Sequence, residues 1–285
     1  MKNVAEMTRE HGSPEPYAYL DEASKREVRR AILKALALPG HQIPFASREM
    51  PIARGWGSGA LQVTLSVVGP DDNVKVIDQG DDASLNAQAM RTLISTTAQC
   101  SQTTSALEAT IVQSRHRIPE TPLRHDQLLI LQVPQPDPLR RLAGDSETSA
   151  ALHAEGDHTL AWLERYEDEV RRGGGATGAG HPVLVNGTVL MGPSPIPPFD
   201  IPRLNNLPHP VLFGAGRLAR VMALPPYSQV TPLSFDDRPF QIPDAGVACA
   251  GCRSVTSHRV ESTVHPGTWW CSDTDYCSRT TKAQG

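Results

Sequence analysis

Apolar residues recur at helical spacing early in the chain. Val28, Ala31, Ile32, Ala35 and Leu36 fall at i, i+3, i+4, i+7 and i+8, one face of an amphipathic helix. Ser24 with Glu27 reads as its capping box, and Pro39-Gly40 stops it. Residues 1–18 read as a loose tail. From Gly40 to Gly59 periodicity vanishes among Pro44, Pro51, Gly55, Gly57 and Gly59, a loop long enough to be functional. Leu61, Val63, Leu65 and Val67 then alternate, which predicts a strand over Leu61–Val68. Val74–Ile77 reads as its partner and Asp78–Asp82 as a turn. A second helix is expected over Ala83–Ser95, with further strands over Ala106–Ser114 and Leu128–Val133.

The texture changes between about Pro134 and Gly187. Pro134, Pro136 and Pro138 stiffen the chain, and Leu160, Leu163, Tyr166 and Val170 share one side of a helix that ends at Arg171-Arg172-Gly173-Gly174-Gly175. This stretch reads as an inserted subdomain and a candidate docking surface, with an ordinary part of the core as the alternative. Asn186-Gly187 between Val183–Val185 and Val189–Met191 is a strong hairpin signal. Val211–Phe213 and Arg220–Leu224 are strand candidates on either side of Gly214-Ala215-Gly216. The expected class is α/β: a mixed sheet core with an inserted subdomain and a small cysteine-rich C-terminal segment. The divisions fall at 1–133, 134–187, 188–240 and 241–285.

Composition narrows the function. The 285 residues carry 27 Lys+Arg against 31 Asp+Glu, a net charge of −4, which disfavours nucleic acid as a partner. The 25 prolines and 22 glycines imply shaped loops and exclude a coiled coil. The N-terminus has no signal-peptide run, and no apolar stretch is long enough to span a membrane. The expected location is the cytoplasm, with no membrane partner. Four of the five cysteines crowd the C-terminal region; in a reducing compartment that clustering points to metal or redox chemistry.

The cysteines run Cys249-x2-Cys252-x18-Cys271-x5-Cys277. A C-x2-C turn aims two thiolates at one metal, and the small Ala248, Ala250 and Gly251 let backbone wrap it. Residues Thr256–Trp270 are long enough for a hairpin that returns Cys271 and Cys277. Four thiolates can close a tetrahedral zinc site or hold an iron–sulfur cluster, and spacing alone leaves both open. The second pair is wider than zinc ribbons use, so Cys277 has room to leave the coordination sphere. Three cysteines would then leave one iron open to an outside ligand such as S-adenosylmethionine. Cys100 stands apart as an ordinary core or surface cysteine.

Several stretches together resemble one family: YAYLDEASKREVRRAILKALALPGHQIPFASREMP, RHRIPETPL, PSPIPPFD, LFGAGR, FDDRPF and CSDTDYC. They are similar to the J subunit of bacterial carbon–phosphorus lyase, over about Tyr17 to Cys277. The middle cysteine spacing is three residues shorter here than in that family; the other two agree. The resemblance implies a radical S-adenosylmethionine lyase of alkylphosphonate catabolism. It would convert α-D-ribose 1-methylphosphonate 5-phosphate to the 1,2-cyclic phosphate 5-phosphate, with methane, methionine and 5′-deoxyadenosine. Cys249, Cys252 and Cys271 would hold a [4Fe–4S] cluster that binds S-adenosylmethionine. Cys277 would be the reactive cysteine, or a fourth ligand in a cluster-free form, and Gly40 the glycine that carries a radical. The implied partners are the sister subunits of a lyase core complex, an ATP-binding-cassette subunit and the phosphonate ribose phosphate. The alternative is a zinc-stabilised assembly subunit without chemistry of its own.

Such chemistry suits these residue types. Heterolysis of an alkyl C–P bond would expel a near-carbanion, which acid–base groups cannot support, whereas homolysis avoids it. A glycine radical is stabilised by its flanking amides, and a cysteine S–H is weak enough to hand over a hydrogen atom. Gly40 also has an ordinary reading as a helix C-cap. Arg115, His116 and Arg117 follow a strand; two cations and an imidazole there suit a phosphate or phosphonate, or simply a solvated strand end. His116 is also a candidate metal ligand shared with a partner subunit. Arg54-Gly55-Trp56-Gly57-Ser58-Gly59 would cradle a phosphate with backbone N–H groups, or serve as a flexible turn.

Overall fold

A computed structural model describes residues 22–37, 42–44, 58–78, 81–115, 117–133, 167, 183–190, 198–215, 220–236, 240, 246–257 and 259–284. The helices are α1 (Glu22–Ala37), α2 (Ser58–Val67), α3 (Leu85–Ala98) and α4 (Thr274–Gln284). Seven strands form one mixed sheet: β1 (Gln42–Pro44), β2 (Asn73–Ile77), β3 (Ser101–Gln102), β4 (Ile111–Arg115), β5 (Leu128–Val133), β8 (Val211–Ala215) and β9 (Arg220–Leu224). Their order is β1-β9-β8-β5-β4-β2-β3. From β3 to β8 the pairing is parallel, while β9 and β1 run antiparallel at the edge. A smaller sheet holds β6 (Val183–Val185), β7 (Thr188–Leu190) and β10 (Val230–Pro232), and β11 (Arg259–Glu261) pairs β12 (Trp269–Cys271). The architecture is α/β, as the sequence led us to expect.

Strand alternation splits the core into two layers. On one face Val74, Val76, Ile111, Ile130 and Leu212 pack under Val28 and Ile32 of α1, Leu61 and Val63 of α2, and Met90 and Ile94 of α3. On the other, Ile77, Val112, Leu129, Leu131, Val211 and Phe213 meet Val183, Val185, Ile201 and Leu204. Strands covered on both faces read as near-continuous apolar runs, which is why β5 was plain in the sequence. The hairpin around Asn186-Gly187 forms with both residues at positive φ, 48° and 82°.

Five expectations need correction. The predicted strand over Leu61–Val68 is the helix α2. Residues Ala60 to Thr64 are all buried, so α2 has no polar face to betray a helical period, and the alternation was incidental. Its Thr64 and Ser66 hydroxyls turn back to the Ala60 and Gln62 carbonyls at 2.9 and 2.7 Å, satisfying polar groups where no water reaches. β2 consequently pairs with β3 and β4, not with 61–68. Ser24 lies inside α1, which begins at Glu22, so it is not the cap. The strand expected from Ala106 starts only at Ile111. The helix expected over 83–95 spans Leu85–Ala98, and Ser84 Oγ caps it by accepting from the Ala87 N–H at 3.1 Å.

The start of α2 is pressed against the sheet. The Ala60 N–H donates to Gln132 Oε1 at 2.6 Å. A side chain at Gly214 of β8 would meet the Gly59 carbonyl carbon at 2.4 Å, so only glycine permits this approach. The helix expected over 160–170 lies outside the described residues except Glu167, which is helical.

Candidate metal centre

The C-terminal segment builds its site from three pieces of backbone. Cys249 and Cys252 lie on a tight turn, where Arg253 N–H donates to the Cys249 carbonyl at 3.0 Å and Arg253 takes a left-handed φ of 61°. Cys271 ends β12, which the Ala250 N–H ties to the turn through the Trp269 carbonyl at 2.8 Å. Cys277 sits in the first turn of α4. Asp273 caps that helix, Oδ1 accepting the Tyr276 N–H at 3.0 Å. The five-residue spacing before Cys277 thus resolves into Ser272, a cap and a helical turn. The shortened middle spacing closes as the β11–β12 hairpin, with Arg259 opposite Cys271.

These pieces bring all four sulfurs within 4.8 Å of one another. Cys249 Sγ lies 3.7 Å from Cys277 Sγ, and Cys252 Sγ 3.4 Å from Cys271 Sγ. Cys249, Cys252 and Cys271 are buried, while Cys277 is half-buried. Gly251 makes room for this: a Cβ there would meet the Trp270 ring at 2.9 Å and Cys277 Sγ at 3.2 Å. Two of the sulfurs face hydrogen-bond donors. The Cys271 N–H donates to Cys249 Sγ at 3.3 Å, and Ser257 Oγ lies 3.0 Å from Cys271 Sγ. Burial opposes ionisation of Cys249, but the N–H groups of Cys252, Cys271 and Gly251 outweigh it and hold that thiol down at about 6. Burial and the neighbouring Cys249 sulfur push Cys277 up to about 11, and burial raises Cys271 as well.

The donor set fits a thiolate-bound metal. Its span fits a single tetrahedral ion closed by all four sulfurs, since bonds of about 2.3 Å to one ion bring thiolates this close. In a cubane each thiolate sits on a separate iron, so the sulfurs stand further apart. Cys277 is distinct among the four, arriving on α4 rather than on the turn or the hairpin, and being the most accessible.

Arg115, at the carboxyl end of β4, grips Asp78 with both arms, Nε to Oδ1 at 2.6 Å and Nη2 to Oδ2 at 2.7 Å. Arg117 is fully buried and its guanidinium pairs with Glu120. Burial lowers its pKa to about 10, against the pull of Asp273 and Asp200. Gly40, His116 and Gly55 to Gly57 lie outside the described residues. Cys100 packs half-buried against the helical layer, apart from the four clustered sulfurs.

Two relatives place this chain. A family model described as "Phosphonate metabolism protein PhnJ" matches residues 14–283. The chain belongs to the PhnJ family. It is 45% identical over 271 residues to the Escherichia coli (strain K12) protein named alpha-D-ribose 1-methylphosphonate 5-phosphate C-P lyase, covering 94% of this chain and 96% of that one. It is 47% identical over 264 residues to a Rhizobium meliloti (strain 1021) protein of the same name, covering 92% and 89%. The family resemblance drawn from the sequence holds. Among the described residues of this PhnJ-family chain, no helix is long and apolar enough to cross a membrane.

Sequence reasoning missed the groups that seat the sulfur segment on the sheet: Lys75, Asp82 and Asp273. One signal was available. Lys75 interrupts Val74-Lys75-Val76-Ile77, and a lysine inside a doubly covered strand demands a buried anion. Its partners were not readable, because one of them lies 198 positions away.

Proposed function

We propose that this chain is a carbon–phosphorus lyase acting on α-D-ribose 1-methylphosphonate 5-phosphate by radical chemistry. The observation that carries the proposal is the likeness, over nearly the whole chain, to proteins with that name; beside it stands a set of four cysteines, three buried and one half-buried on a separate helix. Cys249, Cys252 and Cys271 would have to spread from their present span to hold a [4Fe–4S] cluster. When bound, with S-adenosylmethionine on its open iron, that cluster supplies one-electron chemistry that acid–base groups cannot.

The chain's own residues do the rest. The turn and hairpin fix the three ligand sulfurs and surround them with backbone N–H donors. Cys277, half-buried on a separate helix, would give the hydrogen atom of its S–H to a radical at Gly40 Cα. The resulting sulfur-centred radical bonds to phosphorus as the P–C bond breaks homolytically, and the methyl radical takes a hydrogen atom from Gly40 Cα, leaving as methane and restoring the glycine radical. The ribose 2-hydroxyl then displaces the Cys277 sulfur from phosphorus, closing the cyclic phosphate and returning the thiol. Of the expected phosphate-binding group Arg115, His116 and Arg117, the proposed contact is Arg115, which would have to leave Asp78; Arg117 is enclosed and paired with Glu120. Arg115 is the more accessible of the two described arginines, its side chain 19% exposed.

Partners and location follow the same reading: sister subunits of a lyase core, an ATP-binding-cassette subunit, the insertion as docking surface, and the cytoplasm. The test is anaerobic reconstitution with iron and sulfide, reduction, and addition of S-adenosylmethionine. A brown protein that releases 5′-deoxyadenosine is expected, and Cys277→Ala should keep that release yet make no methane. The close span of the sulfurs favours a second reading, a zinc-stabilised assembly subunit. A colourless protein that keeps one zinc through reconstitution would establish it.

A further inference from the structure

A buried ionic triad lies between the sheet and the sulfur cluster. Lys75 is in the middle of β2, on the face opposite the helices. Its Nζ donates to Asp82 Oδ2 at 2.9 Å, to Asp273 Oδ1 at 3.2 Å and to the Thr104 carbonyl. All three charged side chains are fully enclosed. Each carboxylate also holds the start of α4. Asp273 Oδ1 accepts the Tyr276 N–H, and the Asp273 carbonyl accepts the Cys277 N–H at 3.0 Å. Asp82 Oδ1 accepts from both Thr274 N–H and Thr274 Oγ1, at 3.2 and 3.0 Å, and the Asp82 N–H donates to the Ser272 carbonyl at 3.2 Å.

Apolar packing would seat a helix without fixing its rotation. α4 has no fully buried residue at all, so packing does little to orient it. A slip of one residue turns a helix by about 100°, enough to swing Cys277 away from Cys249. Directional bonds from enclosed charges resist that slip. Buried ion pairs are weak evidence of stability, and their better-attested use is fixing a register.

We propose that Lys75 is a positioning residue for Cys277: through Asp273 and Asp82 it fixes the rotation of α4 and so the distance of the fourth sulfur from the other three. This deepens the function proposed above, and rests on it only for why that sulfur matters. The test uses the full chain loaded with zinc alone and treated with iodoacetamide, each cysteine being followed by peptide mass spectrometry. Lys75→Met should label at Cys277 at least fivefold faster than the parent, with Cys249, Cys252 and Cys271 still protected. Because Lys75→Met leaves two enclosed carboxylates and can fail to fold, Asp273→Ser is the deciding variant. Serine keeps the helix cap but is too short to reach Lys75. Selective labelling of Cys277 in Asp273→Ser supports the assignment. A change at Cys277 below fivefold, or equal loosening of all four sulfurs, overturns it. Labelling needs no iron, S-adenosylmethionine or substrate, so failure of the chain to act as a lyase would leave this result standing.

Discussion

In the seven-stranded sheet, Val74, Val76, Leu129, Ile130, Val211 and Phe213 are sealed between two apolar layers. In residues 246–284 the buried apolar cluster is Cys249, Cys252 and Cys271, with Tyr276 and Cys277 packed beside it. Val255, Val264 and Trp270 of the same segment stand exposed. The sheet offsets its conformational entropy by burying apolar area. Three sulfurs and a two-stranded hairpin cannot do so. The segment therefore depends on what its thiolates bind and on the ionic triad that docks it, so loss of its metal should loosen the segment without melting the sheet.

The strongest way to break that comparison is to remove a sulfur ligand. Cys252 is fully buried and its sulfur lies 3.4 Å from Cys271 Sγ, so loss of that sulfur strikes the junction of the turn with β12. Cys252→Ser should weaken zinc or cobalt binding by well over the roughly 10–100-fold that loss of an outer partner costs. Residues 246–284 should then lose amide-exchange protection, while β4 and β5 keep theirs. Metal removal from the unaltered chain should give the same pattern. Collapse of protection in the sheet as well would show that the two regions are one cooperative unit.

The reverse experiment strikes the sheet. Gly214→Ala forces a methyl group toward the Gly59 backbone, which has no flexible side chain to yield. The expected loss is about 3 kcal/mol in chemical denaturation, with metal affinity unchanged. A fall in metal affinity parallel to the fall in stability would erase the distinction between the regions.

What the sequence made legible follows the same division. Parallel strands such as β5, the Asn186-Gly187 hairpin and the four-cysteine spacing are local patterns, and local patterns survive without coordinates. α2 was misread because residues 60–64 are all buried and its less buried positions, Leu65 and Val67, are apolar, so that the polar stripe that marks a helix is missing; its polar residues Thr64 and Ser66 are satisfied by their own backbone. The sulfur ligands were visible as spacing. Their docking was not, because Lys75, Asp82 and Asp273 are polar residues of ordinary kinds whose meaning arises only when the fold brings them together. With the middle spacing three residues shorter than in the family, the sulfurs still converge across the β11–β12 hairpin.

The smallest effect tests whether the sheet layer responds locally. Ser84 has extended backbone, φ −60° and ψ 153°, and its hydroxyl accepts from the Ala87 N–H at the start of α3. The first turn of α3 has no acidic residue to take over that role. Ser84→Ala should therefore cost about 1 kcal/mol, read as a lower denaturation midpoint with an unchanged slope. Ser84 stands two residues after Asp82, which binds Lys75 and Thr274. If the cap merely starts α3, Cys277 labelling in zinc-loaded protein should match the parent. If Ser84→Ala also speeds labelling at Cys277, then the 82–84 turn transmits strain from the helical layer to the sulfur cluster, and the boundary between the two regions must be drawn after Ser84 rather than before Asp82.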